Sequence, residues 1–125
     1  FYCARAVAPH LRARGRGAIV NVTSVAGITG DGSSLPYAVS KAAAIGLTRS
    51  LARALAPEIR VCGVAPGIVL TRWVAGREEH VERLGKRALL QRTAAAEDVA
   101  EMVCALLAQD AMTGQTLVVD GGVAL

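Results

Sequence analysis

The sequence predicts an α/β fold, a three-layer, doubly wound parallel sheet with helices on both faces, and three observations carry that expectation. Ala18 to Thr23 and Ile59 to Val64 are short apolar runs, read as strands covered on both faces, and Thr116 to Val119 is read as the last strand. Segments with helical periodicity separate them, so each strand is followed by a right-handed crossover long enough to set the next one parallel to it. A chain of 125 residues, 53% hydrophobic and 19% charged, has the composition of one core-forming domain.

Taken in order, Phe1, Ala4, Val7, Ala8 and Leu11 repeat at the i, i+3, i+4, i+7 spacing, so the chain opens inside a helix. No cap precedes them, and the protein is expected to begin earlier than Phe1. Arg12 to Gly17 ends that helix, and the first strand, Ala18 to Thr23, closes on Ser24. Gly27 to Leu35, rich in Gly and Ser, reads as a loop. Pro36 then suits the first turn of a helix capped near Ser34 or Leu35 and stopped by Pro57. Ala38, Ala42, Ala43, Ala44 and Gly46 give this helix a small-residue surface that admits another backbone or a cofactor. The second strand ends in Pro66-Gly67. Arg72 to Arg92, charged and weakly patterned, is expected to be a lid, with Trp73 and Val74 as an apolar wall. Thr93 is the expected cap of the next helix. Glu97, Asp98 and Glu101 sit at its positive end, and Val99, Met102, Val103, Leu106 and Leu107 form its apolar face.

Ligands of open parallel sheets bind beyond the carboxyl ends of the strands. Ser24, Pro66-Gly67 and Asp120-Gly121-Gly122 all fall there, as does the start of the helix bearing Tyr37. Tyr37 and Lys41 stand four apart in Y-A-V-S-K, which places both on one helix face. A free phenol holds its proton up to a pH of about 10, so acid/base work near neutrality needs a cation nearby. Lys41 supplies one. Ser24, facing the pair from a strand end, can donate to a substrate oxygen as charge develops on it. Ser40, between the two, points elsewhere on the helix and is expected to pack or cap, and Asn21 is assigned no role.

Other chemistries find less support. No apolar stretch approaches the roughly 20 residues of a membrane span, and no signal peptide is present, which makes a cytoplasmic site the default expectation. Cys3, Cys62 and Cys104 are far apart in apolar contexts and are read as buried small hydrophobes, with no metal site expected. His10 and His80 are expected at the surface. The net charge of +4 comes from scattered bases, twelve of the fourteen being Arg, without the clustered stripe of a nucleic-acid binder.

S-V-A-G at 24–27, P-Y-A-V-S-K at 36–41, V-A-P-G-I-V-L-T at 64–71 and T-G-Q-T-L-V-V-D-G-G at 113–122 occur in one order along nearly the whole chain. On these motifs the chain resembles the short-chain dehydrogenase/reductase family, and within it the 3-oxoacyl-carrier-protein-reductase-like members. The resemblance implies a Rossmann-type sheet and places residues 1–125 as the carboxyl-terminal half of one such domain, without the N-terminal strands. It implies NADP or NAD as cofactor and carbonyl–alcohol interconversion on a small-molecule or acyl-carrier-bound substrate. Ser24, Tyr37 and Lys41 would be catalytic. Tyr37, Lys41, Pro66, Gly67, Ile68 and Thr71 would contact the cofactor, with the backbone at Ile68 on its carboxamide. A homodimer or homotetramer is expected, joined through the first helix and the small-residue face of the helix bearing Tyr37. Cys62 departs from the family, which usually carries Asn there. Three readings stay open at this point: an oxidoreductase whose isolated 125 residues are inactive, a non-catalytic oligomer partner of the same fold, and a basic nucleic-acid-binding module.

Overall fold

Ile59, Val61, Val64 and Ala65 are at most 1% exposed, and the strand that carries them is the middle one of three. The computed structural model describes residues 1–72, 75–76 and 78–125. Trp73 and Val74, expected as the lid's apolar wall, lie outside the described residues. The elements run α1 (Tyr2–Ala13), β1 (Gly17–Val22), α2 (Ala26–Thr29), α3 (Leu35–Leu55), β2 (Ile59–Pro66), α4 (Glu78–Arg87), α5 (Ala96–Ala108) and β3 (Thr116–Val119). The sheet has the order β1-β2-β3 with both pairs parallel. Gly17 lies opposite Ile59 and Val22 opposite Val64, while Gly63 lies opposite Thr116 and Pro66 opposite Val119.

Strand alternation sorts the core into layers. Ile59 and Val61 meet Ala8 of α1 and Ala52 and Leu55 of α3, with Leu11, Ile19 and Leu51 packed around them. Arg60 and Cys62 point to the opposite face, toward α5, whose Leu106 is 2% exposed. Burial of each such Ile, Val or Leu side chain stabilises the fold by roughly 1.5–3 kcal/mol. The guanidinium of Arg60 closes the far end of α5 by donating to Leu106 O at 3.0 Å, Leu107 O at 2.9 Å and Met112 O at 3.4 Å. The first two are carbonyls that a helix end leaves unpaired. Cys62 is buried with Sγ 3.5 Å from Met112 O.

The three strands and α3 form where the sequence places them, and Ser34 caps α3 by accepting the Tyr37 N–H at 3.3 Å. Several expectations need correction. The first strand is half-buried rather than buried, because it is an edge with no strand on its outer side among the described residues. Phe1 and Val7 are exposed; only Ala4 and Ala8 of the predicted stripe are buried, with Leu11 on the core beside them. The segment after Ser24 contains a one-turn helix, α2, closed by Gly30 in the left-handed region at φ 77°. Part of the lid segment is the ten-residue α4, whose Glu78, Glu79 start and Lys86, Arg87 end suit the helix dipole. The residue before α5 is Ala95, not Thr93, and its N–H is taken by the Asp98 carboxylate at 2.8 Å. Leu107 lies about 100° round the helix from Leu106 and is exposed. Cys3 and Cys104 occupy the outer faces of α1 and α5 and are exposed, so only Cys62 behaves as a buried hydrophobe.

Candidate active site

Hydrogen bonding between β1 and β2 continues past the end of β1 and carries Ser24 into place. Thr23 donates its N–H to Val64 O at 2.7 Å and its hydroxyl to the same oxygen at 2.9 Å, and Val25 N–H reaches Pro66 O at 3.0 Å. Ser24 is thereby held beside the end of β2, 8% exposed. Its Oγ accepts the Ala26 N–H at 3.2 Å. The hydroxyl hydrogen is left to donate elsewhere, as a group that polarises a substrate oxygen must.

Tyr37 and Lys41 occupy successive turns of α3, both half-buried. The Lys41 ammonium donates to Val22 O at 3.2 Å, two residues before Ser24, and stands 5.6 Å from the centre of the Tyr37 ring. The lysine therefore ties the helix to the strand end, and all three residues singled out in the sequence gather at one end of the sheet. Ser40 turns back on its own helix and donates to Tyr37 O at 2.7 Å. Asn21, to which the sequence assigned no role, has a structural one. It donates to Thr48 Oγ1 at 2.9 Å, and the fully buried Thr48 hydroxyl donates to Ala44 O at 2.9 Å. This link fastens α3 to β1 two turns beyond Lys41.

Pro66 and Gly67 lie at the carboxyl end of β2, where Gly67 N–H donates to Val119 O at 3.0 Å. A Cβ on Gly67 would stand 2.7 Å from Cβ of Asp120, so the turn needs glycine for space. Asp120, placed by the sequence at a strand end but given no role of its own, is buried and accepts the N–H groups of Gly122 at 2.7 Å and Ala124 at 2.8 Å. Its position directly after a strand and before Gly-Gly was the available signal. Ile68 is half-buried, and Val69 bridges Ala94 in parallel. Thr71 is exposed and lines a cavity of about 1090 Å³ with Leu70, Arg72, Val81, Lys86 and Arg92. The end of the lid segment is fastened to the last turn, Leu90 N–H donating to Gly121 O at 3.0 Å.

Electrostatics concentrate at the lid's far end. Arg92 meets Asp98 at 2.6 and 3.1 Å. That hydrogen bonding, helped by the Ala95 N–H, holds the Asp98 carboxyl down at about 2. The same contact raises the Arg92 guanidinium above its ordinary value. On α4, Lys86 bonds Glu82 at 2.7 Å and lowers its carboxyl. Among the described residues no group of three or more His, Cys, Asp or Glu could hold a metal ion. Among the described residues, too, no helix is long and apolar enough to cross a membrane.

A family model described as enoyl-(acyl carrier protein) reductase matches residues 1–124. Over 122 residues the chain is 59% identical to the short-chain dehydrogenase/reductase homologue YusR of Bacillus subtilis, covering 98% of this chain and 95% of that one. The chain belongs to the short-chain dehydrogenase/reductase family. Among solved structures of this Rossmann-type fold, it is similar to a 3-oxoacyl-[acyl-carrier protein] reductase from Brucella melitensis, with TM-score 0.91 and 37% identity over 98% of this chain. It is also similar to a gluconate 5-dehydrogenase from Burkholderia cenocepacia in complex with NADP and tartrate, with TM-score 0.88 and 33% identity over 96% of this chain. The short-chain dehydrogenase/reductase chain spans about half of those two proteins, 48% and 49%. It likewise spans 44 to 50% of seven further curated relatives.

Proposed function

We propose that these residues form the carboxyl-terminal half of a short-chain dehydrogenase/reductase domain that interconverts a carbonyl and a secondary alcohol, using NADP or NAD. The observation that carries the reading is the Lys41 ammonium, bonded to Val22 O and 5.6 Å from the Tyr37 ring. It joins the helix bearing the phenol to the strand bearing Ser24.

The donor set fits a nicotinamide dinucleotide. Lys41 would hold ribose hydroxyls, Tyr37 would lie beside them, and Pro66, Gly67, the Ile68 backbone and Thr71 would hold the carboxamide side. The NADP named in the gluconate 5-dehydrogenase structure supports that class of cofactor. When bound, the cofactor supplies the hydride that no side chain can. In the reducing direction the Tyr37 hydroxyl gives its proton to the substrate oxygen, and Ser24 donates a hydrogen bond to the same oxygen as charge develops there. In the oxidising direction Tyr37 takes the proton back, with the Lys41 ammonium 5.6 Å from its ring.

The substrate class is a small-molecule or acyl-carrier-bound carbonyl, in keeping with the names of the two similar enzymes. A cytoplasmic homodimer or homotetramer is part of the same reading. Ala42, Ala43 and Gly46 leave a small-residue face of α3 exposed, and α1 exposes Phe1, Tyr2 and Val7. Sedimentation as a concentration-independent monomer would remove the oligomer.

The test is Tyr37→Phe in the full-length protein carrying this chain, followed by nicotinamide absorbance with a 3-oxoacyl thioester and a keto-sugar acid as probes. The expected loss in kcat is 10²-fold or more, at roughly the level of a general acid, with cofactor KM little changed. A variant keeping more than about a tenth of kcat would remove Tyr37 from the role. Cofactor binding without turnover of either probe by the wild type would favour a non-catalytic partner of the same fold.

A further inference from the structure

We infer that Gly27, with Gly32 beside it, is a positioning residue that sets how closely the Ser24 turn seats against α3, and so whether Ser24 and Tyr37 reach one substrate oxygen. The inference rests on the function proposed above. Ser24 and Gly27 are the two ends of one hydrogen-bonded turn: Gly27 N–H donates to Ser24 O at 3.0 Å while Ala26 N–H donates to Ser24 Oγ at 3.2 Å. A shift at Gly27 is therefore passed to Ser24.

Gly27 touches α3 at the residue that holds the ammonium. A Cβ there would stand 2.5 Å from the Lys41 carbonyl carbon, 2.6 Å from Ala42 N and 2.7 Å from Lys41 O. All three are backbone atoms, so no side-chain rotation relieves the clash. The helix cannot withdraw, because Ala38 and Ile45 are buried on the same side and Thr48 is bonded to Asn21. The turn must move instead, by on the order of 1 Å to restore ordinary contact. Gly32 is close on the other side, where a Cβ would meet Cβ of Ala26 at 2.8 Å and the Tyr37 ring at 3.3 Å. Neither Gly27 nor Gly32 has positive φ, unlike Gly30. Close approach rather than backbone conformation is what their positions require.

A displacement of about 1 Å in a reacting constellation costs roughly 10²-fold in rate. In the full-length protein, Gly27→Ala should lower kcat by about that factor while cofactor KM stays within about twofold. The cofactor contacts on Lys41 and Pro66-Gly67 belong to α3 and β2, which keep their place when the turn moves. The deciding measurement is the double-mutant cycle with Ser24→Ala. If Gly27 acts through Ser24, adding Gly27→Ala to Ser24→Ala costs less than about threefold more, whereas a general loosening would multiply the two losses. Where Gly27→Ala fails to fold by circular dichroism, Gly32→Ala carries the same cycle, with a smaller loss of about tenfold because its close contacts are all with side-chain atoms.

Gly27→Ala turning over within about threefold of wild type, or multiplicative losses in the cycle, would overturn the inference. So would failure of both glycine variants to fold, since their role would then be the fold alone. Ser24→Ala and Tyr37→Phe belong to the same set and separate the two levels. If those variants keep wild-type turnover, the proposed function falls; if they lose it and Gly27→Ala does not, only the positioning role falls.

Discussion

Lys41→Met keeps most of the lysine stem, removes its charge, and tests the electrostatics of the site directly. The ammonium lies 5.6 Å from the centre of the Tyr37 ring. At an effective dielectric of about 20, a unit negative charge on that ring interacts with the ammonium by about 3 kcal/mol. Both side chains are half-exposed to solvent, and screening takes off up to about half, leaving roughly 1.5–3 kcal/mol. At 1.36 kcal/mol per factor of ten, kcat for alcohol oxidation, where the phenolate is the base, should fall by about 10- to 150-fold. Losing the bond to Val22 O frees the strand end as well, and cofactor KM should rise because the same ammonium would hold the ribose. Steady-state kinetics in the oxidising direction, with Lys41→Arg alongside, measure both. Lys41→Arg retains a cation and should keep more activity than Lys41→Met. A loss of less than about threefold in Lys41→Met would refute the electrostatic argument at its source.

Arg60→Ala should destabilise the protein by about 2–4 kcal/mol in urea denaturation, since it strips two carbonyls at the end of α5 and one in the following loop of a charged donor. A loss below about 1 kcal/mol would mean that water serves those carbonyls equally well. Asp98 binds its proton less readily folded than unfolded, so the stability it lends is complete above the ordinary aspartate value of 3.8 and is lost as pH falls through about 2. Asp98→Asn should flatten the acid-unfolding profile over that interval, and an unchanged profile by circular dichroism would count against the Arg92 contact. Residues 1–125 alone should show no saturable binding of NADH or NADPH, because the sequence contains no Gly-x-x-x-Gly-x-Gly turn to hold the pyrophosphate. The half-buried edge of β1 should also make this piece prone to associate. Micromolar binding in a fluorescence titration of a monodisperse preparation would contradict that expectation.

The middle strand was legible because burial on both faces leaves a plain mark: Ile59, Val61 and Val64 admit little but β-branched residues where no water reaches. Pro36 and Pro57 bracketed α3 for an equally local reason, the missing N–H of proline. What escaped was whatever depends on what lies across an element. Ala18 and Val20 have the same apolar character as the residues of β2, yet β1 is half-exposed because the face of the sheet beyond it is open in these residues. Cys3 and Cys104 sit among apolar neighbours in sequence, but helical geometry turns them outward. Ala95 replaced Thr93 before α5 because the carboxylate of Asp98, from inside the helix, takes the N–H that a capping hydroxyl would have taken.

The candidate site divides along the same line. Ser24, Tyr37 and Lys41 announce themselves because their chemistry is in the side chain and two of them share one helix face at a fixed spacing. Gly27 and Gly32 announce nothing, since a glycine in a Gly- and Ser-rich stretch reads as a loop, and the distance that demands it is measured to another element. The Lys41 bond to Val22 O and the Gly27 contact with the Lys41 backbone meet at one turn of α3. One draws the strand end to the helix and the other limits how near the following turn can come. A reactive trio drawn from a strand end and a helix needs both. Spacing in the sequence can place Tyr37 against Lys41, but it takes contacts between elements, these two among them, to place Ser24 against either.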